Sequence, residues 1–138
     1  LANSTEEKGM RVVKWIPDYN NLDRPANDMI IFRLADVYLM KAEAMARMGG
    51  DPSGPLTELR TARGVDAVYT GTTLDDILEE RSRELYWEGW RRNDQIRFGT
   101  FLDPVQQKPD TSDRSKIIFP IPATALSGNP NLTQNPGY

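Results

Sequence analysis

In the stretch ERSRELYWEGWRRNDQIRFG, Glu80 to Gly99, the carboxylates Glu80, Glu84 and Glu88 recur every four residues and would share one face of a helix. Paired carboxylates are the equipment of glycoside hydrolysis, which needs two of them roughly 5–9.5 Å apart. Neighbours at i and i+4 on a helix come close to that separation, so the spacing permits the chemistry. The surrounding residues oppose it. Arg81, Arg83, Arg91, Arg92 and Arg97 crowd the same segment, and a guanidinium beside a carboxylate lowers its pKa, the wrong direction for a general acid. An ion-pair lattice, in which Arg forks orient two helix segments and the tail, explains the composition better.

Aromatic residues offer a second kind of chemistry. Tyr86, Trp87 and Trp90 could stack on the C–H face of a sugar ring, but aromatics at helical spacing beside a break read first as core wedges. Trp15, Tyr19 and Tyr69 lie in expected loops and are the candidate ligand-facing aromatics. The chain has neither His nor Cys, which excludes Ser-His-Asp and Cys-His catalysis, disulfides and His- or thiolate-bound metals within it. No metal-ligand spacing, Gly-rich phosphate loop or cofactor motif occurs, so no metal or cofactor is expected. Asn3-Ser4-Thr5 and Asn131-Leu132-Thr133 match the glycosylation sequon, without a secretory context to give it meaning.

At 138 residues the chain has the length of one domain and opens at Leu1 without Met, so it can equally be a piece of a longer protein. A formal net charge of −3 provides no basic field and argues against nucleic acid as a partner. No apolar run approaches the ~20 residues of a membrane span, and no signal peptide is recognisable.

The elements that would position these residues follow from periodicity and punctuation. Residues 1–28 read as an extended arm and loop: a frayed lead to Met10, a short strand or arm over RVVKWI (Arg11 to Ile16), then a loop from Pro17 to Asp28. A helix is expected over Met29 to Gly50, capped by Asp28 and stopped at Gly49 or Gly50. It carries two apolar stripes, one of Ile31, Leu34, Ala35, Tyr38, Ala42 and Met45 and another of Val37, Met40, Ala44 and Met48, which predicts neighbours on two sides. Glu43 and Arg47 form an i,i+4 surface pair. Asp51-Pro52 introduces a shorter helix with Leu56, Leu59 and Ala62 inward, ending at Gly64. The helix pair, residues 29–64, has the form of a tetratricopeptide-like unit. Helices over 73–102 begin at a Thr73/Asp76 capping box, bury Ile77, Leu78, Leu85 and Trp87, and break at Gly89. In 103–138 an exposed loop leads into a proline-rich strap, with Ile117, Ile118, Phe119, Ile121 and Leu132 held down and Asn side chains serving its backbone.

Three runs taken in order resemble a known family: Glu80-Arg81-x-Arg83-Glu84-Leu85, then Glu88-Gly89-x-Arg91-Arg92, then Asp94-x-x-Arg97-Phe98-Gly99. The ending from Phe119 to Tyr138, FPIP…NPNLTQNPGY, and the helix RLADVYLMKAEAMARMG join them. Together they resemble the C-terminal portion of the SusD-like (RagB/SusD) outer-membrane nutrient-binding proteins. Coverage runs from about Ile30 to the C-terminus, with weaker agreement at VVKWIPDYNN. Gln95 departs from the pattern, standing where an aliphatic residue is commoner.

The resemblance implies an all-α fold of tetratricopeptide-like helix pairs with long irregular loops and an extended C-terminal tail. It also implies a lipoprotein anchored on the outer face of the outer membrane, by a lipid outside this chain. Such a protein binds oligo- or polysaccharide, sometimes peptide, and delivers it to a TonB-dependent SusC-like transporter without catalysis. The residues present here would be soluble by themselves. The signature residues carry over as scaffold: Glu80, Arg81, Glu84, Glu88, Arg91, Asp94 and Arg97 as an ion-pair network, and Pro120, Pro122, Asn129, Pro130, Asn135 and Pro136 as the strap. No ligand-binding residue carries over. Two alternatives stand beside this reading: a free-standing helical protein–protein interaction module, and a glycosidase using the paired glutamates.

Overall fold

Helix α1 spans Leu34–Arg47, not the full stretch from Met29. In this computed structural model, which describes residues 13–16, 18–21, 23–24, 26, 28, 30–65, 68–105 and 113–138, Ile30 to Arg33 are irregular. β-Branched and aromatic side chains in succession (Ile30, Ile31, Phe32) are poor helix starters, so α1 begins six residues past Asp28, out of reach of its capping. The buried face of α1 is Ala35, Leu39 and Ala42, with Asp36 and Glu43 alongside. Ile31 and Leu34 of the first expected stripe are exposed, and so is the whole second stripe, Val37, Met40, Ala44 and Met48. The helix closes where a left-handed residue is required: Gly49 has φ 77°, and the Gly50 amide donates to the Met45 carbonyl at 2.8 Å.

Helix α2, Ser53–Thr61, begins after Asp51, whose carboxylate accepts from the Ser53 amide and hydroxyl at 2.9 and 2.8 Å. Pro55, Leu56 and Leu59 are buried, whereas Ala62, placed inward by the periodicity, lies past the last turn and is exposed. Helix α3, Leu74–Glu84, starts at a complete capping box: Thr73 Oγ1 accepts from the Asp76 amide at 3.1 Å, and Asp76 Oδ2 accepts from the Thr73 amide at 3.0 Å. A turn through Leu85 to Gly89 leads to helix α4, Arg91–Phe98, which ends at left-handed Gly99 (φ 81°).

Ala35, Leu39 and Ala42 of α1 form one core with Leu56 and Leu59 of α2, Ile77 of α3, Leu85 and the loop residue Tyr69. Ala46, Leu74, Trp90 and Phe98 pack against it. This core lies in the unit of residues 35–138; residues 1–34 form a unit of their own. There, Val13 to Ile16 make no strand, and a turn at Asp18 follows, with the Asn21 amide donating to the Asp18 carbonyl at 3.1 Å. The expectations for Leu1 to Val12, including the first sequon, fall outside the described residues. Among the described residues every element is helical, which makes the fold all-α.

The tail is less extended and less buried than its prolines imply. A 3-10 turn spans Arg114–Ile117, and a short helix, α5, spans Ala123–Gly128. Pro122 sets the entry with φ −56°, and the six residues after it contain no proline to prevent the turn. Ile118, Phe119 and Leu132 are exposed, and Ile117 and Ile121 only half-buried, so apolar burial does not anchor this segment. Hydrogen bonds do. Gln134 pairs in both directions with the backbone of Ile121, accepting from its amide at 2.8 Å and donating to its carbonyl at 3.0 Å. Asn135 Nδ2 donates to the Phe119 carbonyl at 2.7 Å, and the Tyr138 hydroxyl donates to the Ile118 carbonyl at 2.9 Å. Arg92 ties this assembly to α4 through the Lys116 and Ile117 carbonyls, at 2.9 and 3.0 Å.

Candidate functional site

Arg81, in the middle of α3, is 2% exposed and joins three helices. Its Nε donates to Asp94 Oδ2 of α4 at 2.8 Å and its Nη1 to Asp36 Oδ1 of α1 at 2.9 Å. Arg97, one turn beyond Asp94, donates to both oxygens of Glu43 at 2.6 and 2.8 Å and to Asp94 Oδ1 at 3.1 Å. Glu43 also accepts from Arg47 Nε at 2.8 Å. The Glu43–Arg47 pair is therefore part of an interhelical cluster around a buried carboxylate, not an isolated surface pair.

Glu80 and Glu84 of α3 meet arginines of α2 and of the turn that follows it. Glu80 accepts from Arg60 at 2.9 and 3.3 Å and from Arg83 at 2.9 and 3.3 Å; Glu84 is held by the fork of Arg63 at 2.5 and 3.1 Å. Glu88 is half-buried in the turn before α4. Arg91 is directed to the Ser82 hydroxyl, one of the uncharged partners in this region. Among the described residues no group of acids could hold a metal ion.

The sequence pattern does not single out Asp36, Arg60 or Arg63, and it places Glu43 on the surface. A signal existed. Asp36 and Glu43 are seven residues apart, hence on one side of α1, and both flank its inward face. Arg60 on α2 and Arg63 in the turn just past its end are three residues apart, close to the four-residue spacing of Glu80 and Glu84 on α3.

Burial alone would raise the pKa of Glu80, but the hydrogen bonds from Arg60 and Arg83 outweigh it and hold the carboxyl below the usual glutamate value. At Glu43 burial is likewise outweighed, by Arg97 and Arg47. Arg97 is raised, chiefly by its bonds to Glu43. A carboxyl held ionised suits a tether and not a proton donor. The linkage sign follows: both groups have folded pKa values below the 4.5 of an ordinary glutamate. Their stabilisation is complete above that value and disappears as pH falls through the folded values. Melting followed by circular dichroism from pH 7 to 3 is expected to show the midpoint dropping below about pH 4.5. Glu80→Gln should melt lower at pH 7 and show a shallower decline in acid.

The candidate aromatics separate into two groups. Trp15 and Tyr19 are exposed. Tyr69 is not exposed as expected: it is 8% exposed and belongs to the core. Its amide donates to Thr57 Oγ1 at 3.0 Å, its hydroxyl to the Asp76 carbonyl at 3.3 Å, and the Arg60 guanidinium lies 4.4 Å above its ring. Burial pushes its hydroxyl pKa up. The loop chemistry that suggested exposure is overridden because Gly71 lets the backbone fold closely over the ring; a Cβ there would stand 2.7 Å from the hydroxyl.

Trp90 wedges against the core, but Trp87 does not. Trp87 has φ 66° and is 65% exposed, so the left-handed turn after Leu85 carries its ring outward. Tyr86, also exposed, lies 6.1 Å away with ring planes inclined by 30°. These rings, with Leu85, Ser82, Arg91 and Arg92, line a cleft of about 380 Å³ at the α3–α4 corner.

Comparison with known proteins places this architecture. A model of the SusD family matches residues 2–111. The starch-binding protein SusD of Bacteroides thetaiotaomicron is 33% identical over 94% of this chain and 26% of its own length. Two proteins of Formosa agariphila, SusD-like protein P38 and SusD-like protein P25, are 31% and 34% identical over 99% and 90% of this chain. They are matched over 30% and 28% of their own lengths, so the chain spans between a quarter and a third of these relatives. With a family match across most of its length and an all-α core built on the Glu80–Gly99 signature, the chain belongs to the SusD family.

Proposed function

We propose that the protein containing this chain captures oligo- or polysaccharide at the cell surface and passes it to a TonB-dependent SusC-like transporter, without cleaving it. It does so as a lipoprotein on the outer face of the outer membrane, the lipid lying outside these residues. The observation that carries the reading is the similarity to a starch-binding relative along 94% of the chain. The state of the acids supports the absence of catalysis: Glu80 and Glu84 are gripped by arginine forks from α2 and from the turn that follows it, leaving neither placed to protonate a leaving group. No helix among the described residues is long and apolar enough to cross a membrane.

In this reading the present residues are the scaffold, with Glu80, Arg81, Glu84, Asp94 and Arg97 as braces joined by Asp36, Glu43, Arg60 and Arg63. Which glycan is taken depends on loops, since one scaffold can display many. Affinity electrophoresis of the full-length protein through gels containing amylopectin and a panel of other polysaccharides tests the proposal. Retardation by at least one glycan is expected, with no release of reducing ends on prolonged incubation and co-purification of a large outer-membrane transporter. Release of reducing sugar that disappears in Glu84→Gln would establish the glycosidase alternative instead.

A further inference from the structure

The arginines of the α2–α4 region divide by the charge of their partners. Arg60, Arg63, Arg81, Arg83 and Arg97 all grip carboxylates. Among the described residues Arg91 and Arg92 have no carboxylate partner: the first meets the Ser82 hydroxyl, the second the carbonyls of Lys116 and Ile117 and the rings of Phe101 and Phe119, at 5.0 and 4.0 Å. Two residues adjacent in sequence, whose guanidiniums have neutral partners among the described residues, thus both line the cleft at the α3–α4 corner, in a chain of net charge −3. The tail fixes Arg92 there through carbonyls and ring faces, so its position is set before any ligand arrives.

The same cleft holds Trp87, which among the described residues is alone of the non-glycines in having positive φ. For a bulky residue that conformation is costly and marks a feature that the surrounding structure imposes. Its effect is to turn an indole out beside the Tyr86 ring, over a cavity whose size falls in the range of small-molecule sites.

We propose that this cleft binds an acidic sugar residue. The Trp87 and Tyr86 rings take the C–H face of the pyranose, and Arg91 with Arg92 pairs with its carboxylate or sulfate ester. A purely apolar occupant, such as a hydrophobic peptide, would desolvate two guanidiniums without providing a counter-charge. An acidic sugar supplies both halves of the match. The inference rests on the proposal that the protein handles glycans and assigns a ligand class to this one cleft.

Tryptophan fluorescence and calorimetric titration of the full-length protein test it, with two acidic probes and their neutral counterparts. These are trigalacturonate against its methyl ester, and a sulfated carrageenan tetrasaccharide against its desulfated form. Saturable binding of at least one acidic probe is expected, weakened about tenfold or more by esterification or desulfation and by raised salt. Arg91→Gln should weaken it by about tenfold. Trp87→Gly, which keeps the left-handed turn and removes the ring, should weaken it similarly while leaving the circular dichroism spectrum and melting point in place. Absence of binding by both acidic probes, equal affinity for a neutral counterpart, or unchanged affinity in the two variants overturns the assignment. Retention by a neutral polysaccharide gel alongside failure with both acidic probes would sink the cleft and leave the capture function standing. Binding of an acidic probe at the cleft without retention by any polysaccharide would do the opposite.

Discussion

Arg81→Met is expected to lower the unfolding free energy by about 3–5 kcal/mol, enough to unfold a marginally stable domain. The guanidinium lies between Asp36 and Asp94, 1% and 2% exposed, and its removal strands two carboxylates away from water. Asp94 keeps Arg97 as a partner through its other oxygen. Asp36 has no such reserve: among the described residues its Oδ2 has no hydrogen-bond partner, so Arg81 is what compensates its charge. Urea unfolding followed by circular dichroism measures the loss. The triple variant Arg81→Met, Asp36→Leu, Asp94→Leu isolates its cause, because replacing a whole buried ionic cluster by apolar groups is commonly neutral or stabilising. Recovery of most of the lost stability is expected. A triple variant as unstable as Arg81→Met alone would show that the lattice contributes shape that apolar side chains cannot reproduce.

Leu39→Ala is expected to cost about 2–5 kcal/mol. Leu39 is 0% exposed and sits where α1 meets Leu56 and Leu59 of α2 and Ile77 of α3. Three helices converge on it, so the surrounding backbone has little freedom to collapse into the space. The same urea experiment checks it against Met40→Ala on the adjoining exposed face, where a change within about 0.5 kcal/mol is expected. Equal costs at the two positions would mean that the outward face of α1 is covered in solution.

Leu39 shows where reading the chain from its residues stops. The apolar spacing of α1 supports two stripes almost equally well, and neither contains Leu39. The inward face is instead the one bordered by Asp36 and Glu43, acids that a hydrophobic pattern assigns to solvent. They are buried because Arg81 and Arg97 reach them from α3 and α4, 45 and 54 residues away in sequence. No local rule registers a partner at that distance, and without it the burial of an acid looks prohibitive. Tyr69 departs from its local pattern for a related reason. Its loop composition speaks for exposure, yet a glycine two residues on allows the chain to close over the ring.

Local residue chemistry suffices for the helical class, the break between α3 and α4, and the sharpest helix ends. The Thr73–Asp76 box, the stop at Gly49 and the stop at Gly99 all act within a few residues of themselves, through backbone conformation and capping bonds that neighbours in sequence complete. Tertiary structure alone decided which face of α1 turns inward and which carboxylate each arginine takes. It also decided that Trp87 points outward while Trp90, three residues later, is wedged against the core. Charge pairing and close packing depend on distances between groups far apart along the chain, and only the assembled fold sets those distances.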